Sequence, residues 1–456
     1  MMKTSLIAAA AALALAGCAS TTSYERPAAP VPASWQDAST AAAAAPLPWQ
    51  QFYTDARLRE LITLALQNNR DLRVALLNVE QARAQSRVQD ASLLPTVGAG
   101  VTASRTPGSN GVVNNSYQAG VQISAYEVDL FGRLRSLSGA ALERYLAGVE
   151  GSRAAQISLV AQIASSYLSL RANEELLSLA EQTLKTRDDF YRLTKLKSDN
   201  GVASGLDMSA ATSQVEAARA SLAQQQRLRA LDLNALQLLV GQPLPQLSGG
   251  TAWNAQANFP MLADVPAGLP SEVLVNRPDI LQAEGLLKAA EANIAAARAA
   301  FFPSLTLTTS LGTASSELSK LFSNTVWSFA PQLLMPIFDS GRNKANLASA
   351  QAGRDIAVAQ YEKAIQVGFR EVADALAGRA TLAEQLRATQ AQAQADEDRL
   401  KLVDLRFRAG ASNSLELLDA QRSQFAARQA VVQLQLARAQ NSVLLYKALG
   451  GGWAAQ

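Results

Sequence analysis

The spacing of apolar and polar positions changes twice in each half of this chain. In residues 96–104 and 117–126 apolar side chains recur at every second position, the period of a strand with two unlike faces. A loop rich in Gly and Asn separates the two runs, so the sequence predicts a hairpin at about 96–130. The predicted apolar faces are Val97, Ala99, Val101 and Ala103 in the first strand and Tyr117, Ala119, Val121, Ile123 and Ala125 in the second.

A second hairpin is predicted at about 304–338. Strands of about 9–11 residues with unlike faces have the length of outer-membrane barrel strands. A soluble sandwich with one dry and one wet face is the alternative, but four strands in a chain of 456 residues make a poor sandwich. The predicted apolar faces are Leu305, Leu307, Thr309 and Leu311 in one strand and Trp327, Phe329, Leu333, Met335 and Ile337 in the other.

Very long helices follow each hairpin. Residues 133–198 and 342–408 contain no proline, and each stretch of about 66 residues would make a helix of about 100 Å. A glycine turn ends each stretch, and a return helix of about 36 residues then runs to Gly241 or Gly450. Helices of this length indicate a coiled coil or a helical tube. A shorter helical pattern precedes each hairpin, and the first runs from about residue 55 to 93.

The two halves are copies of one unit. Residues 71–95 and 279–303 align without a gap at a spacing of 208, and the glycine turns and return helices align at 209. The predicted organisation is therefore a tandem duplication. Its parts are a signal peptide (1–17), an extended N-terminal segment (18–54), a first repeat (55–241, with its helical hairpin at about 133–241), a linker (242–272), a second repeat (273–450, with its helical hairpin at about 341–450) and a tail (451–456).

Four membrane strands cannot close a barrel, and an open sheet edge in lipid leaves backbone groups unpaired. The chain must therefore associate with copies of itself. A dimer would supply eight strands and a trimer twelve, and the strand pattern alone does not choose between them.

Composition removes several kinds of chemistry. The chain has no histidine, one cysteine and a formal charge of +3. Histidine-dependent triads, thiolate metal clusters and intrachain disulfides are thus impossible, and no metal or other cofactor is expected. Carboxylate or Ser-Lys chemistry is not excluded by composition.

The N-terminus reads as an export signal. Lys3 precedes an apolar run of about ten residues, which is too short to span a bilayer and ends in Leu-Ala-Gly-Cys18. This ending resembles the bacterial lipobox, in which the cysteine becomes the lipid-carrying N-terminus. Ordinary cleavage at small residues, with Cys18 incidental, is the alternative. Ala19 and Ser20 follow the cysteine where an aspartate would favour the inner membrane, so the outer membrane is expected.

Three further motifs resemble the TolC-like outer-membrane efflux proteins, in particular the lipoprotein NodT/OprM branch. They are Tyr-Glu-Val-Asp-Leu-Phe-Gly-Arg at 126–133, Asn-Arg-Pro-Asp-Ile at 276–280, and Phe-Arg-Ala-Gly at 407–410 followed by Leu-Leu-Asp-Ala-Gln-Arg at 417–422. The resemblance covers residues 18 to about 450. It implies a mainly α protein and a homotrimer, with a twelve-stranded barrel in the outer membrane that continues into a long periplasmic α-helical barrel. It also implies a periplasmic adaptor, an inner-membrane pump of RND type, export of drugs or other small toxic solutes, and no catalysis.

The resemblance further assigns roles at the ends of the helical hairpins. Phe407, Asn413, Asp419 and Arg422 match the network that closes the periplasmic end, although the family often has tyrosine where Phe407 stands. Three copies of Asp419 near the axis would make an acidic ring that favours cations. Without the resemblance, Asp419 and Arg422 would read as a solvated surface pair. The candidate adaptor contacts are Gly201, Val202, Ala203, Ser204, Gly410, Ala411 and Ser412, whose alternative role is simply to turn the chain.

Other functions remain open at this stage. A duct for type I protein secretion belongs to the same family. A lipid-anchored helical spacer would have no membrane strands and no conductance. A surface hydrolase has no support, because the chain has neither a Gly-x-Ser-x-Gly elbow nor a phosphate loop.

Overall fold

The computed structural model describes residues 24–32, 47–107, 111, 113–244 and 271–451. The signal peptide and Cys18 lie outside these residues, as do most of the predicted linker and all of the predicted tail except Gly451. None of the described helices has the length and apolar character needed to cross a bilayer.

Long helices dominate the described residues. Helices α4 and α7 have 67 residues each and fill the two proline-free stretches. The helices are α1 Trp49–Phe52, α2 Ala56–Asn68, α3 Arg70–Ala91, α4 Arg133–Asp199, α5 Gly205–Val240, α6 Pro278–Ala299, α7 Arg342–Arg408 and α8 Ser414–Ala448. The strands are β1 Val97–Pro107, β2 Val113–Val128, β3 Ser304–Ser315 and β4 Thr325–Leu334, and short 3-10 turns occupy Ser271–Asn276 and Leu318–Lys320.

The chain forms two compact units, and neither unit coincides with one repeat. The first, here called the sheet unit, comprises Met1–Ala29, Leu76–Gly151 and Asp279–Ala364. The second, called the tip unit, comprises Pro30–Ala75, Ser152–Pro278 and Ile365–Gln456. Each unit therefore contains parts of both copies of the duplicated sequence.

The sheet unit contains one antiparallel sheet in the order β1-β2-β3-β4, so the two predicted hairpins are joined through β2 and β3. Register agrees with the predicted faces, since Val97 pairs with Ile123 and Leu311 pairs with Trp327. β1 and β4 each have one neighbour in this sheet. A single chain thus leaves two sheet edges open, as the count of four strands predicted.

Two details of the strand prediction are wrong. A bulge between Ile123 and Tyr126 gives Ala125 a positive φ of 49° and makes Tyr126 the partner of Leu307. The apolar face of β2 therefore passes to Tyr126, and not to Ala125 as predicted. β4 ends at Leu334, so Met335 and Ile337 lie beyond it.

In the tip unit, the helix predicted from about residue 55 to 93 is interrupted at Asn69. The buried Asn69 has extended backbone angles, and its side chain accepts a hydrogen bond from Leu72 N and donates one to Leu239 O, both at 2.8 Å. A Cβ on Gly241 would lie 2.4 Å from Asn68 O, so the break coincides with close packing against the end of α5. Sequence periodicity could not reveal this tertiary contact.

The core of the tip unit includes residues that were predicted to be part of an extended segment. Phe52, in the short helix α1, is fully buried and stacks on Tyr446 of α8 with ring centroids 3.9 Å apart. Tyr446 donates a hydrogen bond to Leu47 O at 2.8 Å. Residues 47–53 are therefore packed against α8, and the prediction of an extended tether is wrong for this part.

Candidate functional site

The two helical hairpins of the tip unit turn in the same way. Gly201 and Gly410 have φ values of 74° and 72°, which favour glycine. Val202 N donates to Lys197 O and Ala411 N donates to Arg406 O, each at 2.8 Å, which satisfies the last carbonyls of α4 and α7. The glycines predicted at the tips thus have a structural role in both copies.

The helices that follow the turns are capped differently. Ser204 and Asp207 form a reciprocal capping box at the start of α5. Asn413 caps α8 by accepting a hydrogen bond from Glu416 N at 2.9 Å. The Glu416 carboxylate instead contacts Arg406 and Ser412. The second copy therefore uses its acid to hold the turn itself.

A hydrogen bond joins the two tips. Ser414 Oγ donates to Asp207 Oδ1 at 2.8 Å, so the first residue of α8 is tied to the first turn of α5. Hydrogen bonds from Ser204 and Ser414 lower the pKa of Asp207 below its usual value. The carboxylate is thus ionised at neutral pH and accepts from both tips.

Apolar contacts lie immediately behind the turns. Phe407 packs against a small cluster around Val403 and Leu417, and its ring centroid lies 6.1 Å from that of Phe190 on α4. Lys197 Nζ lies 5.5 Å from the centre of the Phe407 ring. Phe407 therefore joins the ends of α4, α7 and α8 within one chain, and this contact needs no hydroxyl.

A charged group lies further along the second hairpin. Asp419 on α8 accepts hydrogen bonds from Arg399 of α7 and Arg422 of α8, each at 2.8 Å. These three residues are called the Asp419 node. Hydrogen bonds from Arg399 and then Arg422 lower the pKa of Asp419 below its usual value. The node is partly exposed, and the Arg422 side chain retains 73% of its accessible surface.

Arg187 of α4 forms another link to α8. Arg187 is 5% exposed, and its guanidinium donates a hydrogen bond to the Gln421 side chain. Burial lowers the pKa of Arg187. Since Gln421 lies two residues from Asp419, α4 and α7 both contact the same turn of α8.

The tips also expose apolar side chains. Val202, Leu206 and Leu415 retain 76%, 81% and 73% of their accessible surface. Leu206 and Leu415 each follow directly after a helix start, at equivalent positions of the two repeats. Neither leucine is among the predicted adaptor contacts, although the sequence shows an apolar residue two positions after each helix cap.

The structure separates the predicted gate residues into different local roles. It brings Asp419 and Arg422 together, whereas Asn413 is a helix cap and Phe407 packs inside the hairpin pair. Arg399, Arg187 and the pair Asp207–Ser414 were not predicted. Their partners lie on other helices, so spacing along one helix could not identify them. Among the described residues no group of three or more metal-ligating side chains is placed to hold an ion.

Comparisons with known proteins agree on one family. The family described as outer membrane efflux protein matches residues 61–242 and 269–451. The toluene efflux pump outer membrane protein TtgC and the antibiotic efflux pump outer membrane protein ArpC, both of Pseudomonas putida, are each 45% identical over 470 residues, which cover 99% of this chain and 96% of theirs. The open state of the Neisseria gonorrhoeae MtrE outer membrane channel superposes with a TM-score of 0.86 and 40% identity, covering 95% of this chain and 98% of that one.

These similarities confirm the predicted fold class, in which strands of a shared outer-membrane barrel are combined with helices of a periplasmic helical barrel. They also confirm the predicted outer-membrane location. Because the family match covers most of its length and the relatives cover nearly all of it, the chain belongs to the outer membrane efflux protein family.

Proposed function

We propose that this chain forms a passive exit duct that is closed at its helical tips until an adaptor docks there. The observation that carries this proposal is the Asp419 node, in which one carboxylate joins α7 to α8 through Arg399 and also binds Arg422. Ion pairs between partly exposed groups are individually weak, which suits a contact that must break and reform.

The node acts by holding helices together. Each Asp419 has two arginine partners, so the three side chains carry a net charge of +1 in each copy. This argues against the acidic ring expected from Asp419 alone. Release of Arg399 from Asp419 would remove one of the links between α7 and α8 near the tip, while the packing of Phe407 against Leu417 would remain.

The adaptor contact is proposed at the tips themselves. It comprises the predicted residues Gly201, Val202, Ala203, Ser204, Gly410, Ala411 and Ser412. The exposed Leu206 and Leu415 extend it and give each tip an apolar side chain for a partner. Six such leucines in a trimer would form a repeated docking surface.

The duct is a homotrimer that works with a periplasmic adaptor and an inner-membrane pump. Cys18 carries the lipid, the inner-membrane pump is of RND type, and the chain itself performs no chemistry and holds no cofactor. The cargo is small toxic solutes, including apolar solvents and antibiotics. Relatives with 45% identity belong to a toluene pump and an antibiotic pump, which supports this range.

Conductance in planar lipid bilayers tests the gate. We expect the double variant Asp419→Ala/Arg422→Ala to raise the conductance of the purified channel at least several-fold. The matched control is Glu384→Ala/Arg387→Ala, which removes another exposed pair three residues apart on α7. Equal conductance in the two double variants would reject the gate.

Adaptor binding tests the docking surface. Leu206→Ser/Leu415→Ser should weaken binding of the purified adaptor at least tenfold and leave the amount of trimer unchanged. Leu238→Ser is the control, because Leu238 lies on α5 with a similar exposure of 79% but about 48 Å along the helix from Leu206. Undiminished adaptor binding by the double variant would overturn the assignment.

A further inference from the structure

A buried carboxylate in the sheet unit is bound by the N-terminal segment. Glu284 of α6 is 3% exposed. It accepts hydrogen bonds from Tyr24 Oη at 3.1 Å and from Arg26 Nε and Nη2 at 3.1 and 2.8 Å. Lys288, one turn further along α6, lies 3.3 Å from the same carboxylate. These four residues are called the N-terminal latch.

The latch is specific in its geometry and charge. Arg26 approaches both oxygens of Glu284 with its planar fork, the arrangement that best matches a carboxylate. Lys288 Nζ also lies 5.0 Å from the centre of the Tyr24 ring. Burial and the neighbouring charge of Glu284 raise the pKa of the Tyr24 hydroxyl, which therefore stays a hydrogen-bond donor.

Glu284 needs this segment. A buried carboxylate without partners is costly, and two of its three donor groups come from residues 24–26. Without Tyr24 and Arg26, Lys288 would still contact Oε1 of Glu284, but Oε2 would lose its hydrogen bond from Arg26. Tyr24 and Arg26 of the N-terminal segment therefore supply hydrogen-bond donors that the buried carboxylate of α6 requires.

The position of the latch matches the length of chain before it. Glu284 lies 15 residues before the end of α6, about 22 Å along the helix, and β3 begins five residues after that end. Eight peptide units separate Cys18 from Arg26 and span at most about 26–29 Å. Fully extended, the chain from Arg26 to Cys18 is thus just longer than the stretch of α6 from Glu284 to Ala299, the end of the helix that leads into β3.

We propose that the N-terminal latch fixes the length of the lipid tether, so that an acylated Cys18 can reach the membrane only beside the strands of its own sheet unit. The proposal rests on the proposed lipidation of Cys18. Without the latch, the next hydrogen bond in the described residues is the one that Leu47 O accepts from Tyr446, and the 29 peptide units from Cys18 to Leu47 could span about 100 Å. Glu284 is therefore a positioning residue for the anchor.

Spin-label mobility tests the latch in the full-length trimer in vesicles of outer-membrane lipid. The label is placed on Ala28→Cys, an exposed position two residues after Arg26. Once Cys18 is acylated, this is the only reactive thiol in the chain. We expect slow label motion with Glu284 present and several-fold faster motion in Glu284→Ala.

Two further variants separate the latch from a general loss of structure. Glu291→Ala changes a carboxylate two turns further along α6 and should leave the label slow. The charge-reversed pair Arg26→Glu/Glu284→Arg should recover part of the slow motion that either single change abolishes. Equal mobility in Glu284→Ala and the parent protein would overturn the latch.

Shortening the tether tests the length argument. Deletion of residues 21–23 removes about 10 Å of reach and should release the label at Ala28 in the lipidated protein. The same deletion should have no effect in a Cys18→Ala version exported with an unlipidated leader. A label that stays slow in the lipidated deletion variant would overturn the tether length. If mass measurement shows that Cys18 carries no lipid, the tether and the proposed anchor are both rejected, while the Cys18→Ala protein still reports on the latch.

Discussion

Arg399 Nη2 lies 2.8 Å from Asp419 Oδ2, which joins α7 to α8 eleven residues before the turn at Gly410. Arg422, on the same helix as Asp419, binds the other oxygen at the same distance. One carboxylate thus has a partner within its helix and a partner across the hairpin. Only the second partner resists separation of the two helices.

This relationship predicts how the channel responds to pH. The hydrogen bond from Arg399 is the main cause that lowers the pKa of Asp419. The ion pair is therefore fully formed above the usual carboxylate pKa, and it is lost as the pH falls through the lowered pKa of Asp419. Bilayer conductance should therefore be constant from about pH 7.5 to 5 and rise only below about pH 4. Asp419→Asn should remove this acid-dependent step, and a rise near pH 6 in the parent protein would contradict the prediction.

Arg399 and Arg422 should contribute unequally to keeping the channel closed. Arg399→Gln should raise conductance more than Arg422→Gln, because only Arg399 spans the hairpin. Both variants remove one charge and one hydrogen bond to Asp419, so each controls for the other. Single-channel recordings at neutral pH measure the difference, and a larger effect of Arg422→Gln would show that the contact across the hairpin does not hold the tip.

Ser204 and Ser414 both donate a hydrogen bond to Asp207. Substituting each serine in turn therefore distinguishes the effect of the bond between the tips from the effect of helix capping. Ser414→Ala removes the bond between α8 and α5 and should increase open probability without fraying α5. Ser204→Ala removes a helix cap, which costs about 1 kcal/mol. Hydrogen exchange at the start of α5 should therefore rise in Ser204→Ala alone, and fraying of α5 in Ser414→Ala would contradict this division of roles.

Gly120 and Gly312 are required for the close approach of β2 and β3. A Cβ on Gly120 would lie 2.4 Å from Leu311 O, and a Cβ on Gly312 would lie 2.2 Å from Ala119 O. Gly120→Ala should therefore sharply reduce the amount of folded trimer in the outer membrane. Gly100→Ala is the matched control, because Gly100 pairs with Gly120 but has open space around its Cβ position. Wild-type levels of Gly120→Ala trimer would show that the strands can move apart.

Arg277 joins two distant parts of the tip unit. Its side chain is buried and donates hydrogen bonds to Ala448 O and to the Glu371 carboxylate, both at 2.8 Å. Arg277→Lys cannot make both contacts in the same geometry and should lower local stability by about 2–3 kcal/mol. Faster hydrogen exchange near the end of α8 would measure the loss. Arg370→Lys, at a 70% exposed position of α7, is the control and should have no effect.

Much of the fold follows from local sequence signals. Proline-free stretches predicted both 67-residue helices closely, and the glycines at 201 and 410 marked both turns. Alternation predicted the strands and their faces, because the period of two reports which side is apolar. These signals act between residues that are close in the chain, so they need no tertiary information.

The remaining features depend on residues that meet only after folding. Asn69 breaks a helical pattern because its side chain binds Leu239, 170 residues away. Arg399 and Asp419 lie on different helices, and Arg26 and Glu284 are separated by 258 residues. The sequence by itself determined the elements, the duplication, the need for further copies to close the sheet, and the family resemblance. The tertiary structure decided which charges pair, because ion pairs and hydrogen bonds depend on distances between elements that no local pattern encodes.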